Sequence, residues 1–204
     1  MTKVKICGLM EKEHVKMAVD AGVDAIGFVF APSKRQVTIA KAQMLAENIP
    51  PEVMIIGVFV DDSRAFIEKT YREVPLDFVQ YHGNESPDFI NKIGLPSIKV
   101  ISVHSSEDIK QAAQYEADYF LFDTPGTDYK GGSGRIFDWQ LMRECDVQSD
   151  SIILAGGLNA ENVGEAIRTV QPYMVDVSSG VEVMGRKDEN LMRTFIKVVK
   201  EEER

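Results

Sequence analysis

Two residues of this chain have the type and the setting for proton transfer. Cys7 closes the run Lys5-Ile6-Cys7-Gly8-Leu9, and Asp123 closes Leu121-Phe122-Asp123-Thr124-Pro125-Gly126. A cysteine at a strand end can be a nucleophile, or a general base if its thiolate is stabilised. The alternative is a small buried apolar residue, the commonest use of cysteine. Asp123 is either an Asx-type turn before Pro-Gly or a general acid. The apolar run before it would hold the carboxyl in a poorly solvated place, which suits an acid. Cys145 lies in a polar stretch and reads as structural.

A second kind of chemistry is written in the last quarter of the chain. Ser151-Ile152-Ile153-Leu154-Ala155-Gly156-Gly157-Leu158-Asn159 and Met174-Val175-Asp176-Val177-Ser178-Ser179-Gly180-Val181-Glu182 each read as a short strand breaking into a small-residue turn toward a helix. Glycine and serine let backbone N–H groups approach an anion, and a helix N-terminus adds favourable dipole charge. Gly156, Gly157, Ser178, Ser179 and Gly180 are therefore candidate phosphate ligands. Two such turns after the last two strands of a barrel form a phosphate site.

Other polar residues sit at strand ends or in long loops. Arg35, in Ser33-Lys34-Arg35, is either an exposed loop residue or a bidentate carboxylate partner. Asp176 lies inside an apolar run, so it points into the site or pairs with a neighbour. Gln80 and His82 end another strand and can hydrogen-bond a substrate, though a lone histidine there is more often structural. Lys130-Gly131-Gly132-Ser133-Gly134 reads as a mobile loop over the mouth, or as a plain flexible linker.

The elements that must position these groups alternate regularly. Strands are expected near Val4–Ile6, Ala25–Phe30, Met54–Val60, Asp77–Gln80, Ser97–Ile101, Tyr119–Phe122, Ile152–Leu154 and Met174–Val177. They are short and apolar throughout, as in strands covered on both faces. Helices are expected near Glu11–Ala21, Ile39–Asn48, Arg64–Glu73, Pro87–Ile93, Ser106–Glu116, Asp138–Arg143, Ala160–Val170 and Glu189–Glu202. Ser63, Ser86 and Asn159 are candidate N-caps, and Gly22 and Gly94 candidate stops. This order predicts an α/β fold, a (β/α)8 TIM barrel, with residues 1–204 as one domain with short loops. An open doubly wound sheet is the competitor, but Cys7-Gly8-Leu9-Met10 is not a dinucleotide fingerprint. On a closed ring only strands seven and eight separate strand six from strand one. Cys7 and Asp123 then face each other across the mouth, a layout for proton-transfer isomerisation.

Composition narrows the partners. The net charge of −9 argues against nucleic acid, and an anionic substrate must be held by a local positive site. Two cysteines in 204 residues fit a reducing cytoplasm rather than a disulfide scaffold. The N-terminus is too charged for a signal peptide, and no apolar run approaches the roughly 20 residues that span a bilayer. No cysteine or histidine spacing suggests a metal.

Seven quoted segments also carry a family likeness. They are Lys5-Ile6-Cys7-Gly8-Leu9, Gly27-Phe28-Val29-Phe30 with Ser33-Lys34-Arg35, Val79-Gln80-Tyr81-His82-Gly83, Phe122-Asp123-Thr124, Gly131-Gly132-Ser133-Gly134 with Phe137-Asp138-Trp139, Leu154-Ala155-Gly156-Gly157-Leu158, and the run from Val175 to Glu182. In this order the chain resembles the phosphoribosylanthranilate isomerases of tryptophan biosynthesis. Tyr81 stands where that family usually has leucine, and Met10 where it usually has threonine. The resemblance implies an Amadori rearrangement needing no metal or organic cofactor. It implies Asp123 as the acid on the furanose oxygen and Cys7 as the base at ribose C2. It sets Arg35 against the anthranilate carboxylate, Asp176 near the anthranilate amine, and the two small-residue turns around the phosphate. The oligomeric state, monomer or homodimer, stays open.

Rival readings keep the barrel and change the chemistry. An indole-glycerol-phosphate synthase is expected to show a lysine in the mouth and an extra N-terminal segment, and here a strand begins almost at once. A metal-using epimerase needs histidine and aspartate ligands at several strand ends, and only His82 is so placed. A non-catalytic phosphate-binding protein on the same fold would bind without turnover.

Overall fold

The computed structural model describes residues 1–124 and 136–202. Eight parallel strands close into a barrel: β1 Lys3–Cys7, β2 Ala25–Val29, β3 Met54–Phe59, β4 Phe78–Tyr81, β5 Ser97–Ser102, β6 Tyr119–Asp123, β7 Ile152–Leu154 and β8 Met174–Val177. Closure is made by β1 pairing with β8, with Lys5 opposite Asp176. The expected strands are all present, each within a residue or two at its ends.

The outer layer comprises α1 Lys12–Asp20, α2 Ile39–Ala46, α3 Arg64–Glu73, α4 Pro87–Ile93, α5 Ser106–Lys110, α6 Val163–Val170 and α7 Glu189–Glu201. Ser63 and Ser86 cap α3 and α4 by accepting from Phe66 N and Phe89 N. Gly94 stops α4 in the left-handed region. The N-cap position expected at Asn159 falls instead at Asn162, and α6 begins at Val163. Asn159 accepts from the amides of Glu161 and Asn162, so its side chain closes a turn ahead of the helix. The helix expected at Asp138–Arg143 is a 3-10 turn, Trp139–Glu144. Its buried residues, Trp139 and Met142, are three apart, and 3-10 geometry aligns that spacing on one face. Likewise only Ser106–Lys110 of the fifth helix is α, continued by a 3-10 turn at Gln111–Gln114. After β8 the chain makes a 3-10 turn at Ser179–Val181 and a two-strand hairpin, β9 Glu182–Val183 and β10 Arg186–Lys187, before α7.

Alternation along the strands sorts the side chains into two layers. Ala25, Ile56, Ile98, Val100, Leu121, Ile153 and Met174 fill the barrel interior. Val4, Ile6, Phe28, Phe59, Val79 and Phe122 belong to the larger core between sheet and helices. Tyr81 also lies in the outer core, fully buried, and its hydroxyl has no hydrogen-bond partner among the described residues. Burial pushes the tyrosine pKa well above its ordinary value.

The end of the barrel opposite the mouth carries a repeated device. Asp24, Asp77 and Asp118 precede β2, β4 and β6, and their carboxylates accept from the amides of Val4, Ile55 and Ser97. Each bond ties the beginning of one strand to the entry of the next and satisfies an amide that would otherwise lack a partner.

Candidate active site at the carboxyl ends of the strands

The polar groups of the barrel converge at the mouth because the strand period demands it. Lys5 and Cys7 are two apart on β1, so both face inward, while Val4 and Ile6 face the helices. Lys5 is fully buried, and its Nζ lies 2.7 Å from Asp176 Oδ2 on the neighbouring strand. Asp176 thus pairs with a neighbour and points into the site. Its Oδ1 is buried with no hydrogen-bond partner among the described residues. Cys7 sits half-buried above Lys5. Gly27 leaves room for the thiol, since a Cβ there would stand 2.7 Å from the sulfur.

Asp123 ends β6 and is buried. His82, just past β4, brings Nε2 to 3.5 Å from Asp123 Oδ2. Gln80, 1% exposed, presents an Oε1 without a partner among the described residues. Two buried acceptors here, Gln80 Oε1 and Asp176 Oδ1, lack partners among the described residues. Unpaired buried acceptors are costly in an empty site and favour a ligand that brings donors.

Arg35 is not a loose loop residue. Its Nε and Nη2 donate to the two oxygens of Glu182, each at 2.8 Å. Glu182 also accepts from Lys187 Nζ at 2.8 Å, and Lys187 donates to the Ser178 carbonyl at 2.8 Å. Ser178 Oγ donates to the Cys7 carbonyl at 3.0 Å. One connected network thus runs from the loop after β2, through the β9–β10 hairpin and the turn after β8, back to β1. Ser178 contributes its hydroxyl to this network, so its place among the phosphate candidates rests on its backbone.

The two small-residue turns touch. A Cβ added to Gly180 would fall on the Leu158 carbonyl oxygen, a contact no side chain can make. Gly156 and Gly157 both have positive φ, 87° and 66°, which residues with a Cβ adopt at a cost. The first turn leads into α6. The second does not lead directly into a helix as expected, because the hairpin intervenes. The glycine-rich segment Lys130–Gly134 lies outside the described residues.

The electrostatics of the mouth follow from burial set against a few specific partners. Burial pushes the Cys7 thiol up; Lys5 opposes the rise, Asp176 adds to it and Lys187 opposes it. This balance favours the thiol form of Cys7 over the thiolate. Burial works against charge on Lys5, but Asp176 and Cys7 outweigh it, and Lys5 titrates above the usual lysine range. Burial pushes the Asp176 carboxyl up, and Lys5 offsets this only in part. Burial alone would raise Glu182, but Arg35 and Lys187 hold it below the usual carboxylate range.

Lys5, Lys187 and Glu182 were not singled out as functional by sequence reasoning. Lys5 had one signal, a charge inside an apolar strand. Lys187 had none, since only the hairpin returns it to the mouth. Lys5 within the barrel means that a lysine in the mouth does not separate this chain from a synthase. Among the described residues no cluster of three metal-ligating side chains occurs, and no helix is long and apolar enough to cross a membrane.

Fold and site define a (β/α)8-barrel protein whose inward polar side chains gather at the carboxyl ends of the strands, where barrel enzymes carry their chemistry. The family model for N-(5'-phosphoribosyl)anthranilate (PRA) isomerase matches residues 4–198. The chain belongs to that family. It is 48% identical over 199 residues to the N-(5'-phosphoribosyl)anthranilate isomerase of Bacillus cereus, covering 97% of this chain and 98% of that one. It is 48% identical over 200 residues to the same enzyme of Bacillus mycoides, covering 98% of each. Among solved structures, phosphoribosyl anthranilate isomerase from Thermotoga maritima superposes with a TM-score of 0.90 at 38% identity, covering 98% of this chain and 100% of that one. A phosphoribosyl anthranilate isomerase in complex with reduced 1-(o-carboxyphenylamino)-1-deoxyribulose 5-phosphate superposes at 0.86 with 37% identity, covering 98% of this chain and 100% of that one.

Proposed function

We propose that the protein converts N-(5-phosphoribosyl)anthranilate to 1-(2-carboxyphenylamino)-1-deoxyribulose 5-phosphate, a step of tryptophan biosynthesis, with Asp123 as general acid and Cys7 as general base. The observation that carries the reading is the disposition of Cys7 on β1 and Asp123 on β6, with only β7 and β8 between them on that side of the ring. Family membership supports it, as does the reduced deoxyribulose phosphate bound by the 37%-identical isomerase.

The chemistry balances without an external reagent. Protonated Asp123 gives its proton to the furanose ring oxygen, the C1–O bond breaks, and the anthranilate nitrogen carries an iminium cation. That cation acidifies the C2 proton, and Cys7, as thiolate, accepts it. The resulting enolamine gains a proton at C1 and loses one from the C2 hydroxyl, giving the ketone. No metal or organic cofactor is needed, because the iminium is the electron sink. The thiol of the empty site must ionise first, and the cation formed beside it favours the thiolate.

Arg35, held by Glu182, faces the anthranilate carboxylate. Asp176 Oδ1 receives the anthranilate N–H, and Gln80 and His82 hold the sugar hydroxyls and the acid. The turns at Gly156–Gly157 and Ser178–Gly180 take the phosphate on backbone N–H groups. The enzyme works in the cytoplasm, as its low cysteine content suggests.

The test is a fluorescence assay following consumption of phosphoribosylanthranilate by the purified protein. Catalytic turnover to the deoxyribulose product is expected. Stoichiometric binding without turnover would overturn the assignment in favour of a phosphate-binding protein.

A further inference from the structure

We propose that Lys5 is a positioning residue for the base: its buried ammonium, anchored by Asp176, is the counter-charge against which Cys7 ionises. The inference rests on the reading of Cys7 as the base and adds a group that the acid–base pair alone leaves without a role.

The geometry carries it. Lys5 and Cys7 project from the same face of β1, two residues apart. The ammonium has three donors. One goes to Asp176 Oδ2 at 2.7 Å, and the charge of the ammonium acts on Cys7 as well as on Asp176. Lys5 is 0% exposed, and a barrel interior accepts a lysine only when its charge is matched. Asp176 matches it in the resting site, and a thiolate at Cys7 would share it during turnover.

Other charges surround Cys7, yet they are differently committed. Asp176 faces it from β8 and opposes ionisation. Lys187 from β10 and Arg35 from the loop after β2 both favour it, but both are bound to Glu182. Asp123 and His82 bear on Asp176 rather than on Cys7 directly. Lys5 is the strongest of the groups that favour the thiolate. The competing explanation is that Lys5 merely neutralises Asp176, leaving the thiol indifferent to it.

These explanations separate in the substrate-free protein, without any need for turnover. In a Cys145→Ser background, the pH dependence of Cys7 alkylation by iodoacetamide reports its ionisation. Lys5→Met and Lys5→Met/Asp176→Asn are each compared with the Cys145→Ser parent. The double variant leaves no buried charge uncompensated, so it carries the comparison if the single variant does not fold. Removing Lys5 should move the alkylation midpoint upward by ~1 pH unit or more, the lower end of what a close opposite charge does to a titrating group. The acid limb of kcat/KM should move with it. An unchanged midpoint on removing Lys5 would overturn the proposal. A wild-type protein that alkylates as expected but does not turn over would instead defeat the assignment of the reaction, leaving the role of Lys5 in Cys7 ionisation standing.

Discussion

The proposed reaction gives Cys7 and Asp123 opposite roles, and their surroundings differ. Cys7 lies above a lysine and beside a carboxylate, and burial pushes its thiol up against the pull of Lys5. Asp123 sits buried at the end of β6 with His82 as its neighbour. Cys7→Ala should lower kcat at least ~100-fold, the low end of what a positioned acid or base contributes. KM should change far less, because a thiol adds little ground-state binding. Asp123→Asn should cost as much, since an amide keeps the turn but donates no carboxylic proton. Steady-state kinetics on both variants, with circular dichroism to verify folding, decides the matter; near-normal turnover in either removes that residue from the mechanism. Because the Cys7 pKa is raised and the base must be deprotonated, kcat/KM should climb as pH rises through the thiol titration. A pH profile flat on its acid side would contradict that order of events.

The loops after β7 and β8 show how little room an element can have. Valine at Gly180 would run into the Leu158 carbonyl, and valine at Gly157 would have to adopt a positive φ. Gly157→Val and Gly180→Val should raise KM strongly. They should lower kcat as well if the phosphate held there anchors the sugar between the proposed acid and base. Inorganic phosphate should inhibit the wild type weakly and lose its effect in the variants. Unchanged KM and unchanged phosphate inhibition would place the phosphate elsewhere. At the other end of the strands, Asp77→Ala leaves the Ile55 amide without its 2.7 Å acceptor. Urea unfolding should show a loss of ~1.5–3 kcal/mol, the range for a hydrogen bond to a charged group. No change would mean that water replaces the carboxylate at this exposed position.

Across the molecule, the network through Glu182 ties chain segments that lie far apart in sequence: Arg35, Ser178 and Lys187. Glu182 titrates lower in the folded protein than its ordinary value of 4.5. The folded state therefore binds fewer protons than the unfolded chain in that window. Its contribution to stability is complete above the ordinary value and fades as pH falls through the folded one. Glu182→Gln should destabilise most near neutrality, and its difference from wild type should shrink on acidification, as read by urea midpoints across pH. A difference that grows toward acid would reverse the assigned sign. Tyr81→Phe tests the outer core, where the tyrosine hydroxyl has no partner among the described residues. Removing an unsatisfied buried hydroxyl of the same shape is neutral or stabilising. The melting temperature should hold or rise, and a clear drop would point to a hydrogen bond that the hydroxyl makes.

What the sequence determined by itself was the alternation of short apolar strands with amphipathic helices. Strand and helix periods are local properties of the chain, and they were enough to define the barrel and hence the ring order that sets Cys7 opposite Asp123. The glycine and serine turns were legible for the same reason, since backbone demands leave local marks. Only the tertiary structure decided the partners. That Lys5 lies under Asp176 depends on the register of β1 against β8, 171 residues apart in sequence. That Arg35 is braced by Glu182 and Lys187 depends on a hairpin with no strand pattern long enough to read. That the Cys7 thiol is protonated depends on burial set against Lys5, a balance no single residue carries. Local spacing places groups on elements; their ionisation and pairing are set by neighbours that only the closed barrel brings together.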